Sequence, residues 1–123
     1  MIVLPWPPSV NRMWRAFGGR NILSQAGREY RAAGLVALLV QRPAPWLAES
    51  RLSVSVVLCP PTRRKFDVDN FWKAPGDLLT HGGVYADDSQ IDELLIRRGP
   101  VVAGGRVEVQ IREVGIHADQ AGE

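Results

Sequence analysis

Residues 52–59, Leu-Ser-Val-Ser-Val-Val-Leu-Cys, alternate apolar and polar positions and then turn wholly apolar. That pattern predicts a central strand whose far end is buried, and Pro60-Pro61 ends it. A different period governs the run before it. Ser24 stands as an N-cap, Tyr30, Leu35, Leu38 and Leu39 recur at roughly helical spacing, and Pro43 and Pro45 stop the helix. At the start, "IVLPWP" reads as a first strand ended by prolines, and "RAFGGRNILS" as a loop followed by a short second strand.

Residues 67–80 are a second helix candidate, closed by the His81-Gly82-Gly83 stop signal. Pro75 lies inside it, so either the helix is kinked or its regular part begins only a few residues before that position. Residues 91–98 and 106–113 look like two further strands, and the loop between them ends in Gly104-Gly105, which predicts an antiparallel hairpin. From Gly115 onward the chain is short and polar, and a mobile tail is expected there. No repeat, low-complexity tract or linker divides the chain. The expectation is one α+β or mixed α/β domain over residues 1–114, followed by a flexible tail at 115–123.

With 123 residues the chain is the size of one ordinary domain and needs no disulfide staples. Its single cysteine, Cys59, lies in the apolar strand, which predicts a buried reduced thiol and a reducing compartment. The longest apolar stretch, "AAGLVALLV", falls far short of the ~20 residues a membrane span needs, and the N-terminus lacks the basic and apolar regions of a signal peptide. A soluble cytoplasmic protein with no membrane partner is expected.

The net charge of +2 hides an uneven distribution. Residues 1–66 carry ten Lys and Arg against Glu29 and Glu49, a balance of +8, and residues 67–123 carry five bases against eleven acids, a balance of −6. A polyanion-binding surface joined to a carboxylate-rich site would need such a division.

The acids gather in "KFDVDNFWK". Side chains at i and i+2 of an extended segment point the same way, so Asp67 and Asp69 can share one ligand if the chain enters the helix extended. Lys73, four residues beyond Asp69, shares its face if that turn is helical. Two hard carboxylate donors are the usual protein contribution to a Mg²⁺ site. "VYADDSQ" offers one further acid from Asp87 and Asp88, since adjacent residues in an irregular segment diverge. The bland alternatives are a solvated turn or cap for each acid and an exposed ion pair with Asp69 or Asp77 for Lys73. Two lysines among 15 cations favour a specific use of Lys73, because the chain otherwise almost always employs Arg.

Other motifs fail. An EF-hand starting at Asp67 would need Gly where Trp72 stands and Glu where Leu78 stands. There is no Gly-rich phosphate loop followed by Lys-Ser/Thr, no pair of cysteines for zinc, and no obvious nucleophile between the widely separated His81 and His117.

In this order, "LPWPPSVNRMWR", "RRKFDVDNFWK", "DLLTHGGVYADDSQI" and "GGRVEVQI" resemble the RusA-type Holliday junction resolvases, over residues 1 to about 114. The resemblance implies a single small domain with a mixed sheet and two helices, forming a homodimer. It further implies a Mg²⁺-dependent endonuclease, with Mn²⁺ as a substitute and no nucleotide cofactor, that binds four-way DNA junctions and nicks two opposing strands in recombination and repair. By matched position, Asp67, Asp69 and Asp88 would be the metal-binding catalytic carboxylates and Lys73 the catalytic lysine. Asn70 belongs to the same motif. Asn11, Arg12, Arg63, Arg64 and Lys65 would contact DNA. Phe66 stands where many relatives have a further basic residue, and it could stack on a base or pack inside. Trp6, Trp14, Trp46 and Trp72 read as core or interface anchors before base-stacking residues.

Two other readings remain open from sequence: a protein that binds branched DNA without cutting, and a nuclease of the same chemistry acting on flaps or forks.

Overall fold

The computed structural model describes residues 1–114. Its elements in chain order are β1 (Ile2–Pro5), α1 (Val10–Met13), β2 (Trp14–Phe17), β3 (Arg20–Leu23), α2 (Gln25–Gln41) and β4 (Leu52–Cys59). A 3-10 turn (Val68–Phe71), α3 (Lys73–His81), a second 3-10 turn (Asp88–Gln90), β5 (Ile91–Arg98) and β6 (Arg106–Glu113) follow. The expected tail at 115–123 lies outside the described residues.

β4 is central, as its apolar run predicts. The sheet has the order β1-β6-β4-β5, with β6 antiparallel to both β1 and β4 and β5 parallel to β4. Alternate residues of β4, Val54, Val56 and Leu58, are buried on one face with Val107, Val109 and Leu4 of the neighbouring strands. Tyr30 and Leu38 of α2 and Leu78 and Leu79 of α3 complete that core. The result is a small mixed α/β domain with helices packed against its sheet.

α2 forms where its cap and stop signals predict. The Ser24 hydroxyl accepts the Gly27 N–H at 3.0 Å, and the helix closes with Arg42 in the left-handed region at φ 50°, its N–H returning to Leu38 O. Gly34, in mid-helix, is where α3 approaches: a Cβ there would lie 2.2 Å from Leu78 Cδ2. Leu39, expected among the helical apolar residues, instead points outward and is 71% exposed. A four-residue spacing alone does not say where the buried stripe is centred.

Two sequence expectations need correction. The stretch "RAFGGRNILS" is a hairpin in which β2 pairs with β3 around Gly18-Gly19, both at positive φ. Its exposed strands lack the alternation that marks a half-buried strand. The short α1 before it was too brief to show a period. β5 and β6 do not form a hairpin, because β4 lies between them. Their connection crosses the end of β4, where Gly99 N–H bonds Leu58 O at 2.8 Å and Val102 N–H bonds Pro60 O at 2.9 Å. Strand patterns identify strands, and here the partner came from elsewhere in the chain.

Candidate functional site

β4 and β5 run parallel, so their C-terminal ends emerge on the same side of the sheet. The segment that leaves β4 after Cys59 carries Arg63, Arg64, Lys65, Phe66 and Asp67 past the end of β5, where Arg98 stands. In open α/β sheets this side is the usual ligand side.

An aromatic cluster anchors the segment. Phe66 meets Trp6 edge-on at 5.5 Å and Phe71 at 5.3 Å, and Trp6 stacks on Phe71 at 5.1 Å. Arg98 closes the group: its Cζ lies 4.1 Å from the Phe66 ring centroid, and its Nη2 donates to Phe66 O at 2.5 Å. Phe66 therefore packs. Trp6, Trp14, Trp46 and Trp72 are all half-buried against the core, as expected of anchors.

Two adjoining clefts flank the cluster. One, of about 620 Å³, is lined by Ser9, Asn11, Lys65, Phe66, Asp67, Asn70, Phe71 and Arg98. The other, of about 550 Å³, runs from Trp6-Pro7-Pro8-Ser9 and Arg12 to Pro60-Pro61-Thr62, Arg64 and Lys65, and shares Phe66 and Phe71 with the first. The structure thus brings together Asn11, Arg12, Arg64 and Lys65 of the expected DNA-contacting set. Arg63 is exposed but lines neither cleft.

The acids are arranged differently from the expectation. Asp67 is extended (φ −93°, ψ 128°), but the chain then turns at once into the 3-10 turn that holds Asp69, so the extended i, i+2 relation does not hold. Asp67 faces the polar cleft, whereas Asp69 is not among its lining residues. Lys73 opens α3 beyond a break at Trp72, and its ammonium pairs with Asp77 at 3.4 Å rather than with Asp69. Among the described residues no three His, Cys, Asp or Glu side chains converge closely enough to hold a metal ion together.

Pro75 causes no kink. α3 begins at Lys73, which puts the proline in the first turn, where its missing N–H has no acceptor to lose. Gly76 follows because the Trp72 indole lies against it: a Cβ there would be 3.1 Å from the ring. The Gly76 carbonyl accepts from Thr80 Oγ1 and Tyr85 Oη, both at 3.2 Å. Burial pushes the Tyr85 phenol up to about 12, and the carboxylates of Asp88 and Asp77 add to the shift.

Asp87 and Asp88 have separate tasks. Asp87 caps the second 3-10 turn, its carboxylate accepting Ser89 Oγ at 2.8 Å and Ser89 N–H at 3.4 Å, and the Ser89 hydroxyl bond holds it below the usual carboxylate range. Both acids are exposed, and Asp88 stands as the first residue of the turn that Asp87 caps. The turn is pinned by Gln90, which is 3% exposed. Its Oε1 accepts Ala86 N–H and Asp87 N–H at 2.8 and 3.0 Å, and its Nε2 donates to Leu47 O and Ser50 O at 2.8 and 3.0 Å. Sequence reasoning missed Gln90 and Arg98. The Asp87-x-x-Gln90 spacing of a capping box was a usable signal for the first. One arginine among 13 gave none for the second.

Asp67 and Asp69 make no hydrogen bond or ion pair through their carboxylates among the described residues, unlike Asp77 and Asp87. Free, hard oxygen donors of this kind fit Mg²⁺, which needs only one or two carboxylates beside water and phosphate. Cation-lined clefts beside such donors belong to a nucleic-acid hydrolase by class. The family match makes this specific. Residues 5–112 match the family of endodeoxyribonuclease RusA. The chain is 37% identical over 112 residues to the crossover junction endodeoxyribonuclease rusA of Enterobacteria phage HK97, covering 91% of this chain and 92% of that protein. It is 36% identical over 115 residues to the crossover junction endodeoxyribonucleases of Escherichia coli K12 and Enterobacteria phage 82, covering 93% and 94%. The chain belongs to the RusA endodeoxyribonuclease family.

Proposed function

We propose that this chain is a Mg²⁺-dependent endonuclease that resolves four-way DNA junctions by paired symmetric nicks. The observation that carries the reading is the polar cleft, in which Asp67 stands with Lys65, Asn11 and Asn70. In a family of endodeoxyribonucleases, that cleft is where a phosphodiester would meet the acids.

We assign Asp67, Asp69 and Asp88 to the divalent cation, with only one or two of these carboxylates on any one ion beside water and phosphate. When bound, the cation supplies a Lewis acid and an activated water for in-line attack on the phosphodiester. Asn11, Arg12, Arg64 and Lys65 grip backbone phosphates along the two clefts, with Arg63 beside them, so affinity falls steeply with salt. Lys73, a compact ammonium at the start of α3, offsets charge on the phosphoryl or leaving oxygen.

Two strands cut in a two-fold symmetric junction call for two active sites, hence a C2 homodimer. We assign its interface to the outer face of α2, where Val36, Leu39 and Val40 are 60%, 71% and 77% exposed. The nuclease unit runs over residues 1–114: β6 ends at Glu113, and Val114 N–H still bonds Arg51 O at 2.8 Å. No helix among the described residues is long and apolar enough to cross a membrane. Cys59, buried and unpaired, suits the reducing cytoplasm we assign to the protein.

The test is cleavage of a mobile four-way junction and of linear duplex of the same sequence, with and without Mg²⁺, alongside Asp69→Asn. Symmetric nicks confined to the junction, dependent on metal and abolished in a variant that still binds, are expected. Tight junction binding with no nicks under Mg²⁺ or Mn²⁺ would instead identify a structural binder, and preferential cutting of flaps or forks a nuclease with another substrate.

A further inference from the structure

We propose that Arg98 is a phosphate-binding residue of the polar cleft, held ready by Phe66 to receive a backbone phosphate beside Asp67. The inference rests on the nuclease reading and adds to it a contact on a strand that the basic run 63–65 does not include.

Arg98 ends β5, and its Cα pairs with Leu58, one residue before the end of β4. This register delivers the side chain to the segment that carries Asp67. Once there, the guanidinium is fixed twice: Nη2 donates to Phe66 O at 2.5 Å, and Cζ lies 4.1 Å from the Phe66 ring centroid. The ring is itself held by Trp6 and Phe71, so the platform beneath the guanidinium is rigid.

A guanidinium carries five N–H donors, and a single hydrogen bond to Phe66 leaves most of them unused. Arg51, Arg106 and Arg112 each pair with a carboxylate, whereas Arg98 has no acid partner among the described residues. It nevertheless lines the same cleft as Asp67 and Lys65. A planar, stacked and acid-free guanidinium presents a fork that suits two oxygens of one phosphate. Because its rotamer is already fixed, little conformational entropy remains to be lost on binding. If Arg98 were only a strut for the Phe66 carbonyl, its charge would have no part in binding.

The experiment measures the affinity of a labelled four-way junction in EDTA over a range of salt concentrations, for the unaltered dimer, Arg98→Gln and Arg98→Lys. Junction cleavage in Mg²⁺ and a thermal melt are run in parallel. Arg98→Gln is expected to bind about tenfold more weakly near 0.1 M salt and to lower the slope of log K against log salt by about 0.9, the value for one lost phosphate contact. Arg98→Lys should keep the slope and bind several-fold more weakly, since it retains the charge and loses the fork. Arg98→Gln with unchanged slope and affinity, while the unaltered protein cleaves, would overturn this proposal and leave the nuclease reading standing. Should Arg98→Gln fail to fold, Arg98→Lys with unaltered affinity would overturn it equally. An unaltered protein that neither binds nor cuts the junction would overturn both.

Discussion

Lys73 Nζ lies 3.4 Å from Asp77 Oδ1, one turn further along α3. Helix energetics do not favour the pair. A cation in the first turn opposes the helix dipole, and Lys preceding Asp is the weaker order for an i, i+4 pair. With Lys73 half exposed, the pair contributes less than about 1 kcal/mol. The pair holds the ammonium at the start of α3, just beyond the 3-10 turn that carries Asp69. Lys73→Ala is expected to slow single-turnover cleavage by about 10²- to 10³-fold, the typical loss for one transition-state donor. Asp77→Asn should cost less, and combined with Lys73→Ala it should cost nothing further, because Asp77 would act through the lysine. An unchanged rate in Lys73→Ala would reduce the lysine to its surface ion pair.

Gln90 is the most highly connected polar side chain near the acids. Replacing it with Ala strands Ala86 N–H, Asp87 N–H, Leu47 O and Ser50 O together. A loss of about 2–4 kcal/mol in urea denaturation is expected, since groups left unpaired in a buried place cost more than a hydrogen bond contributes. The Asp88 turn would loosen with it, so cleavage should fall even where the variant remains folded. A variant as stable as the parent would mean that water replaces the amide without loss.

How much of this was legible beforehand depended on whether a residue's neighbours were local. β4, α2, β5 and β6 followed from apolar runs, a Ser N-cap and prolines, all of which act within a few residues. The β2–β3 hairpin did not, because exposed strands need no alternation. Insertion of β4 between β5 and β6 is a long-range choice that neither strand encodes alone. At the site, the motif drew attention to Asp67, Asp69, Lys73 and Asp88, but the assumed extended geometry failed where a 3-10 turn intervenes. Asp77 stood in the sequence only as a rival partner for Lys73. Arg98 reaches the cleft that Asp67 lines through a strand register, which no local pattern contains.

The two tyrosines give opposite expectations at neutral pH and a shared one in alkali. Tyr30 Oη is buried without a hydrogen-bond partner among the described residues, and burial pushes its phenol upward. Tyr30→Phe should therefore be neutral or stabilising by about 1 kcal/mol, whereas Tyr85→Phe should lose about 1 kcal/mol with its bond to Gly76 O. The unfolded chain releases a phenolic proton near pH 10, but folded Tyr85 keeps its proton to about 12. The folded state thus binds more protons between those values. Its stability is complete below pH 10 and declines as pH rises through that window, by up to about 3 kcal/mol from Tyr85. Denaturation midpoints measured from pH 8 upward should fall less steeply in Tyr85→Phe, and an equally steep fall would place the alkaline loss elsewhere.

Gly34 and Leu78 test whether the seating of α3 on α2 depends on their close approach. A methyl group at position 34 would lie 2.2 Å from Leu78 Cδ2 and 2.9 Å from Cδ1, and Leu78 is itself fully buried, so neither side chain has free space to retreat into. In an exposed helix Gly→Ala gains about 1 kcal/mol. Here overpacking at about 1–3 kcal/mol outweighs that gain, and Gly34→Ala should be destabilising. Leu78→Ala alone should cost about 2–5 kcal/mol through the cavity it opens. In the double variant the new methyl occupies part of that cavity and the helix gain is recovered, so it should be at least as stable as Leu78→Ala. Urea denaturation of the four proteins completes the cycle. Strict additivity would mean that α3 shifts away from α2 instead of meeting it at Gly34, and in that case the acids and Lys73 carried by α3 and its preceding turn would be free to move with it.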